Sequence, residues 1–127
     1  MANNEAIHGD AVASYIASGD LEKWTVVKLA AARNTVEAAT SSIQVATGVV
    51  IQSVKSGEYV AVKVAWYALA QVGAGGVTKW ATLTPGTGGK LVATSTGGDQ
   101  IFAIAQEAAG EDEYVEIFIH NYILYFL

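Results

Sequence analysis

The chain has 127 residues, of which 52% are hydrophobic and 15% charged, with a net charge of −5 and no cysteine. This length suits one domain with a modest core, and the lack of thiols excludes disulfides, thiolate metal sites and cysteine nucleophiles. Residues 91–127 carry six acidic residues and no basic one, so phosphate groups would be repelled and direct binding of nucleic acid is not expected.

No segment of the sequence has the features of a secretory signal or a membrane span. The first basic residue is Lys23, so the N-terminus lacks the positive region of a signal peptide. The apolar runs are shorter than the roughly 20 residues that cross a bilayer. We therefore expect a soluble product that is made in the cytoplasm and has no membrane partner.

Residues 1–20 are small, polar and weakly patterned, with turn signals at 8–10 (His-Gly-Asp) and 18–20 (Ser-Gly-Asp). We interpret them as an extended N-terminal arm that includes a short helical turn at 11–17. The arm is expected to become ordered on a partner surface. Its apolar anchors, which we predict to form part of an interface, are Ile7, Val12, Tyr15 and Ile16.

Short strands joined by glycine turns are predicted for the rest of the chain, which has thirteen glycines and one proline. The segment WTVVKLA, 24–30, is rich in β-formers. The following stretch, 30–42, is ambiguous, because Arg33 and Glu37 have helical spacing whereas VEAAT favours a strand. The segment VVIQSVKSGEYVAVKVAW, 49–66, alternates as a hairpin around a turn at 55–57.

A similar phrase, IAQEAAGEDEYVEIFIH, recurs at 104–120, and Trp24 and Trp80 are also 56 residues apart. The sequence therefore predicts two similar strand-hairpin units, about 24–67 and 80–119, joined by a linker at 72–79. In this alignment 34–40 matches 89–95, which favours a strand for the ambiguous stretch. The predicted fold is all-β, a small β-barrel or sandwich comprising residues 21–119.

Three patterns could mark sites of chemistry. The glycine-rich 85–90 segment lacks the Ser or Thr of a phosphate-binding loop, since Leu91 follows Lys90, so it is interpreted as a turn. The two histidines, His8 and His120, are too few for a zinc site. The acidic run at 110–116 is interpreted as an exposed hairpin tip, with a calcium site as the alternative.

No serine is flanked by the glycines of a nucleophile elbow, so we expect a non-enzymatic protein without catalytic, cofactor or metal residues. Trp24, Trp66 and Trp80 could form a sugar-stacking platform, but core or subunit contacts are the favoured interpretation.

The sequence ends in HNYILYFL, 120–127, which has no formally charged side chain. Burial of its large side chains would yield on the order of 10 kcal/mol. We predict that this C-terminal tail lies in a groove between subunits, where it crosses to a neighbour or adds a strand to a sheet edge. The alternative is that the tail closes its own barrel. The predicted interface residues of the tail are Tyr122, Ile123, Leu124, Tyr125, Phe126 and Leu127.

The phrases TGVVIQSVKSGEYVAVKV and GGKLVATSTGGDQIFAIAQEAAGEDEYVEIFI resemble the capsid decoration, or cement, proteins of tailed bacteriophages. The resemblance covers roughly 20–119. The sequence departs from the family pattern at Ala103, where glycine is usual, at Trp66-Tyr67, which replace small residues, and in the 120–127 tail.

This resemblance implies a structural virion protein on the outer capsid surface, present in the host cytoplasm during assembly. Such a protein would form a homotrimer, bind the major capsid protein and clamp neighbouring capsid subunits, without a cofactor. The alternative is a carbohydrate- or surface-binding β-module of a phage head or tail fibre.

Overall fold

The computed structural model of the chain describes residues 11–42 and 44–123, and these form an all-β fold, as predicted. Apart from a single 3₁₀ turn at Thr87–Gly89, the regular elements of this part are strands. None of the described residues forms a helix of the length and hydrophobicity needed to cross a bilayer. In chain order the strands are β1 Val12–Ala17, β2 Val26–Leu29, β3 Thr35–Ala38, β4 Ala46–Val50, β5 Tyr59–Lys63, β6 Trp66–Gln71, β7 Thr82–Pro85, β8 Leu91–Ala93, β9 Gln100–Ala105 and β10 Tyr114–Ile123.

The first five strands form a closed barrel in the order β1-β3-β2-β4-β5, which we call barrel 1. Strand β5 returns to β1 in antiparallel pairing, from Val12 opposite Lys63 to Ile16 opposite Tyr59. The other edge of β1 pairs in parallel with β3, where Ala17 lies opposite Val36. Closure leaves barrel 1 without a free sheet edge.

The last five strands form a five-stranded sheet with the same neighbour order, β6-β10-β9-β7-β8. We call it barrel 2, because an isolated bridge joins its two edge strands. Its closing pair is reduced to this one parallel bridge, Val72 opposite Leu91, at the position that Ala17 and Val36 occupy in barrel 1. The Gly73 N–H donates to the Leu91 carbonyl at 2.7 Å beside this bridge. The two halves of the chain therefore have the same strand order over five strands each.

The two interiors are built from the same eight positions. Equivalent residues are identified by equivalent backbone hydrogen bonds, such as the reciprocal pairs Leu21–Val54 and Val77–Ala109. In barrel 1 the interior residues are Ala17, Leu21, Val27, Val36, Val50, Val54, Val60 and Val62. Their counterparts are Val72, Val77, Leu83, Leu91, Ala105, Ala109, Val115 and Ile117, all within one core cluster or packed against it. Larger and smaller residues exchange between positions, which keeps the total interior volume similar.

Left-handed backbone conformations recur at equivalent positions of the two barrels. Tight turns impose these conformations, which bulky residues adopt rarely. The equivalent pairs are Trp24 and Trp80 (φ 73° and 71°), Asn34 and Gly89 (57° and 75°), and Gly57 and Asp112 (88° and 67°).

The prediction of an N-terminal arm at 1–20 is wrong for residues 11–20, the part of it that the structure describes. Residues 12–17 form strand β1 rather than a helical turn, and both edges of that strand are paired inside barrel 1. Tyr15 packs against the barrel interior and Ala17 is buried in it. Small residues suffice at these positions because neighbouring strands cover them, so the apolar pattern of the segment is weak.

The predicted unit boundaries also shift. The segment 72–79, interpreted as a linker, lies inside barrel 2 between β6 and β7, and the chain passes from one barrel to the other at 64–65. Trp66 opens β6 and does not end the first hairpin. The strand predicted within the ambiguous stretch 30–42 is confirmed, since 35–38 is strand β3. The hairpin predicted at 49–66 is also confirmed, since β4 pairs with β5 in antiparallel register.

Candidate interaction surfaces

The two barrels are joined by backbone hydrogen bonds as well as by packing. The Gly89 N–H of barrel 2 donates to the Ala39 carbonyl of barrel 1 at 2.9 Å, and the Gln100 N–H donates to the Ser42 carbonyl at 2.8 Å. The Thr84 hydroxyl, which donates to the Gln100 carbonyl at 2.8 Å, is also 3.5 Å from the Ser42 carbonyl. These bonds fix how one barrel sits on the other.

Each barrel contributes a different surface to this contact. The front face of barrel 1 consists of Trp24, Thr25, Val26, Ala39 and the loop 40–42. The back face of barrel 2 consists of Thr84, Pro85, Gly89, Gln100 and Phe102. Val26, Ala39 and Phe102 are fully buried and belong to one core cluster that spans both barrels.

Gly89 allows the two backbones to approach closely. A Cβ at this position would overlap the Thr25 methyl group and lie 3.1 Å from the Val26 carbonyl oxygen. The φ of 75° also disfavours a side chain there. Glycine is therefore required twice over at the centre of the contact.

Two recesses at the boundary between the barrels share Lys23 and Trp24 in their linings, and we call them together the groove. One recess of about 550 Å³ lies between Lys23 and Trp24 of barrel 1 and Leu69 and Tyr114 of barrel 2. The second recess has a volume of about 350 Å³. It is lined by Val12, Lys23, Trp24, Ile51, Lys63, Tyr67 and Ala68.

The Lys23 ammonium stands 4.9 Å from the Trp24 ring centroid, and this contact orders the wall shared by the two recesses. Aromatic and aliphatic walls with scattered charges suit contact with a protein surface. Among the described residues, no three or more metal-ligating side chains lie close together.

The acidic 110–116 segment begins as an exposed turn, as predicted, with residues 110–114 all open to solvent. Glu113 accepts a 2.6 Å hydrogen bond from the Gly110 N–H, which stabilises the turn. The Lys90 ammonium donates to the Asp112 carboxylate at 2.7 Å. This bond raises the pKa of Lys90 above its usual value, because it stabilises the protonated amine. The pair spans the seam of barrel 2 next to the Val72–Leu91 bridge.

The three tryptophans lie in different surroundings. Trp24 is half-buried in the groove, whereas Trp80 is 65% exposed and lines a separate recess of about 400 Å³ with Thr82 and Thr94. Trp66 is 51% exposed and lines none of these recesses. The recesses do not bring two tryptophans together, so they offer no shared platform for sugar stacking.

The predicted N-terminal interface residues lie in or before β1. Val12 is 40% exposed and lines the second recess, Tyr15 packs on the barrel interior, and Ile16 is half-buried between its paired strands. Of the three described residues, Val12 is the one that lines a recess of the groove. Ile7 lies outside the described residues.

The predicted tail, 120–127, begins inside a strand. Residues 120–123 continue β10, and after a register shift Tyr122 and Ile123 pair with Ile101 and Gln100 of the same chain. The backbone of this part therefore pairs in cis, which corrects the boundary at 119. The interface role of Tyr122 and Ile123 stays a prediction, and Leu124, Tyr125, Phe126 and Leu127 lie outside the described residues.

Sequence reasoning missed Leu29 and Val45, which are 58% and 63% exposed on barrel 1. They stand at positions equivalent to Pro85 and Gln100, which are both buried, and the Gln100 N–H donates to the Ser42 carbonyl of barrel 1. Aligning the two units over all five strands would have revealed Leu29 and Val45, because it matches them with buried positions. An alignment that started at Trp24 lacked the first strand of each unit.

The fold has a structural neighbour among bacteriophage head proteins. It is the N base of the head fibre protein gp8.5 of bacteriophage phi29, with a TM-score of 0.69 and 17% sequence identity. The alignment covers 86% of this chain and 92% of the neighbour. At this identity the likeness shows a shared fold. No protein-family model and no curated protein matches the sequence, so membership of the cement protein family stays a prediction.

Proposed function

We propose that this protein is a structural component of a bacteriophage head, where it binds the outer capsid surface and clamps neighbouring major capsid proteins as a homotrimer. The observation that carries the proposal is the double-barrel fold shared with the phi29 head fibre base over 86% of the chain. That neighbour is described as the base of a phage head fibre, which supports a structural role in a phage virion for this fold.

The physical character of the molecule supports a bracing role. Two barrels that are joined by a core cluster spanning both of them and by backbone hydrogen bonds form a stiff unit. Exposed large side chains are available for contact with other proteins, and they are Val12, Leu29, Val45, Tyr59, Trp66, Tyr67, Leu69, Trp80 and Tyr114. Large apolar and aromatic side chains in such number on a small domain are typical of protein interfaces.

Charge supports the outer rather than the inner capsid face. Residues 91–127 have six acidic and no basic side chains, so packaged DNA would repel this part of the protein. A position on the outside of the shell avoids that repulsion.

The proposal is tested by mixing purified protein with mature heads and with unexpanded precursor shells, followed by sedimentation. We expect saturable binding to mature heads and weak binding to precursor shells, because a clamp recognises the mature arrangement of neighbouring capsid subunits. Decorated heads should also release DNA at a higher temperature than bare heads. Absence of binding to mature heads would overturn the proposal. The carbohydrate-binding alternative is tested by titrating the protein with glycans and measuring its tryptophan fluorescence.

A further inference from the structure

The contact between the two barrels is head to tail, because it joins two different faces of the same repeated unit. As a result, one front face and one back face stay uncovered within residues 11–42 and 44–123. The uncovered back face belongs to barrel 1 and consists of Lys28, Leu29, Asn34, Val45 and Thr47, the equivalents of Thr84, Pro85, Gly89, Gln100 and Phe102. The uncovered front face belongs to barrel 2 and consists of Trp80, Ala81, Thr82, Thr94 and the loop 95–97.

On the two back faces, equivalent positions are buried in barrel 2 and exposed in barrel 1. Gln100 is 7% exposed in barrel 2, whereas Val45 at the same position of barrel 1 is 63% exposed. Pro85 is buried and its equivalent Leu29 is 58% exposed. The uncovered position therefore holds an apolar residue, Val45, whereas the equivalent covered position holds a polar one, Gln100.

On the two front faces, the covered residue is again the more buried one of each equivalent pair. Trp24 is half-buried against the shared core, whereas Trp80 is 65% exposed. Val26 is fully buried and Thr82, its equivalent, is half-buried. Trp80 has a φ of 71°, a backbone conformation that bulky residues rarely adopt, and tryptophan is enriched among the residues that dominate binding at protein interfaces.

We infer that the front face of barrel 2 packs onto the back face of barrel 1 of a second copy, and so repeats between chains the contact made within each chain. A heterologous contact of this kind generates a ring where the rotation closes and a filament where it does not. The inference requires only this protein and does not rest on the phage-head proposal.

Side-chain size at the centre of the uncovered faces supports this pairing. Within the chain, a Cβ at position 89 would overlap the methyl group of Thr25. The equivalent of Gly89 on barrel 1 is Asn34, which does have a Cβ, and the equivalent of Thr25 on barrel 2 is Ala81, which lacks that methyl group. The extra atoms on one face are thus matched by missing atoms on the other.

Charge also favours barrel 1 meeting barrel 2 of another copy. Residues 11–64 hold five basic and four acidic side chains, whereas residues 65–119 hold two basic and six acidic ones. Lys28 and Arg33 lie on or beside the uncovered back face, and Asp99 follows the uncovered front-face loop. Opposite charge steers these two faces together and disfavours contacts between two copies of barrel 2.

The intrachain contact predicts the bonds of the intermolecular one. The Asn34 N–H is expected to donate to the Thr94 carbonyl of the second copy, as the Gly89 N–H donates to the Ala39 carbonyl. The Val45 N–H is expected to donate to the Gly97 carbonyl, as the Gln100 N–H donates to the Ser42 carbonyl.

A cysteine cross-link tests the geometry directly, because the natural chain has no cysteine. Asn34→Cys and Ala81→Cys are made as separate single variants and mixed under oxidising conditions. Since disulfides form only where Cβ atoms lie about 4 Å apart, we expect a 34–81 covalent dimer from the mixture and far less dimer from either variant alone. Equal cross-linking in all three samples, or none in the mixture, would overturn the inference.

Complementation provides a second test that does not depend on cysteine chemistry. Trp80→Asp blocks the front face and Leu29→Asp blocks the back face, so each variant alone should be monomeric by mass photometry. Their mixture should form a dimer, because one intact front face and one intact back face remain. Wild-type protein that stays monomeric at all accessible concentrations, or a mixture of folded variants without dimers, contradicts head-to-tail assembly.

Discussion

Trp24 and Trp80 occupy equivalent positions 56 residues apart, with φ angles of 73° and 71°. Each ring lies about 5 Å from the ammonium of the preceding lysine. Each backbone N–H donates to a carbonyl of a neighbouring strand, Val50 in β4 and Ala105 in β9. A left-handed tryptophan is unfavourable by about 1–2 kcal/mol. Its presence in both barrels indicates that the turn into β2 and β7 imposes this backbone conformation.

Substitution of Gly89 by alanine should destabilise the protein strongly. The new methyl group meets Thr25 and the Val26 carbonyl, and φ is 75° at this residue. We expect a loss of about 2–4 kcal/mol in the free energy of unfolding, from steric overlap added to backbone strain. Gly88→Ala is the matched control, since Gly88 has a φ of 72° but no atom within 4 Å of a Cβ, and it should lose only about 1 kcal/mol. Equal losses in urea denaturation would contradict this account.

Substitution of Phe102 by alanine should weaken both barrels together. Phe102 is fully buried in the core cluster that contains Val26 of barrel 1 and Leu83 of barrel 2. We expect a loss of about 3–5 kcal/mol and a single unfolding transition, seen equally by tryptophan fluorescence and by circular dichroism. Phe118→Ala is the control, because Phe118 is half-buried on the outer surface beside Tyr67. Two separate transitions in the wild-type protein would show that the barrels unfold independently.

The fold class and the duplication were predictable from sequence because both depend on local signals. Strand alternation at 59–64 and the recurring turn at 110–113 are visible without tertiary information. Strand β1 was not predictable in this way. Its small residues, such as Ala13 and Ser14, give no strand signal of their own, and the segment is a strand because it pairs with β3 and β5. The uncovered faces were hidden for a related reason. Leu29 and Val45 are ordinary strand residues until equivalent positions of the second barrel are seen to be buried.

The Lys90–Asp112 ion pair should protect the single-bridge seam of barrel 2 from opening. Because the pKa of Lys90 is raised in the folded state, the contribution of the pair is complete below the ordinary lysine pKa of 10.5 and is lost as the pH rises through the higher folded value. At neutral pH, Lys90→Met should accelerate amide hydrogen exchange at Gly73 and leave exchange in barrel 1 unchanged. Lys55→Met removes a longer, exposed ion pair of 3.7 Å to Asp20 and should not affect the seam. Unchanged exchange at Gly73 in Lys90→Met would show that the backbone bridge alone holds it closed.

Two truncations separate the structural from the interface role of the C-terminus. A chain that ends at His120 loses the pairing of Tyr122 and Ile123 with β9, and we expect it to lose about 1–2 kcal/mol of stability, at up to about 1 kcal/mol for each cross-strand pair. A chain that ends at Ile123 keeps all the pairing described in β10. Under the interface hypothesis, its free energy of unfolding should lie within about 0.5 kcal/mol of the wild-type value. It should nevertheless bind mature heads at least tenfold more weakly, because four large apolar residues are missing from the contact. If this shorter deletion unfolds the domain, the tail completes its own barrel. If it folds and binds heads as tightly as the full chain, residues 124–127 are not part of the interface.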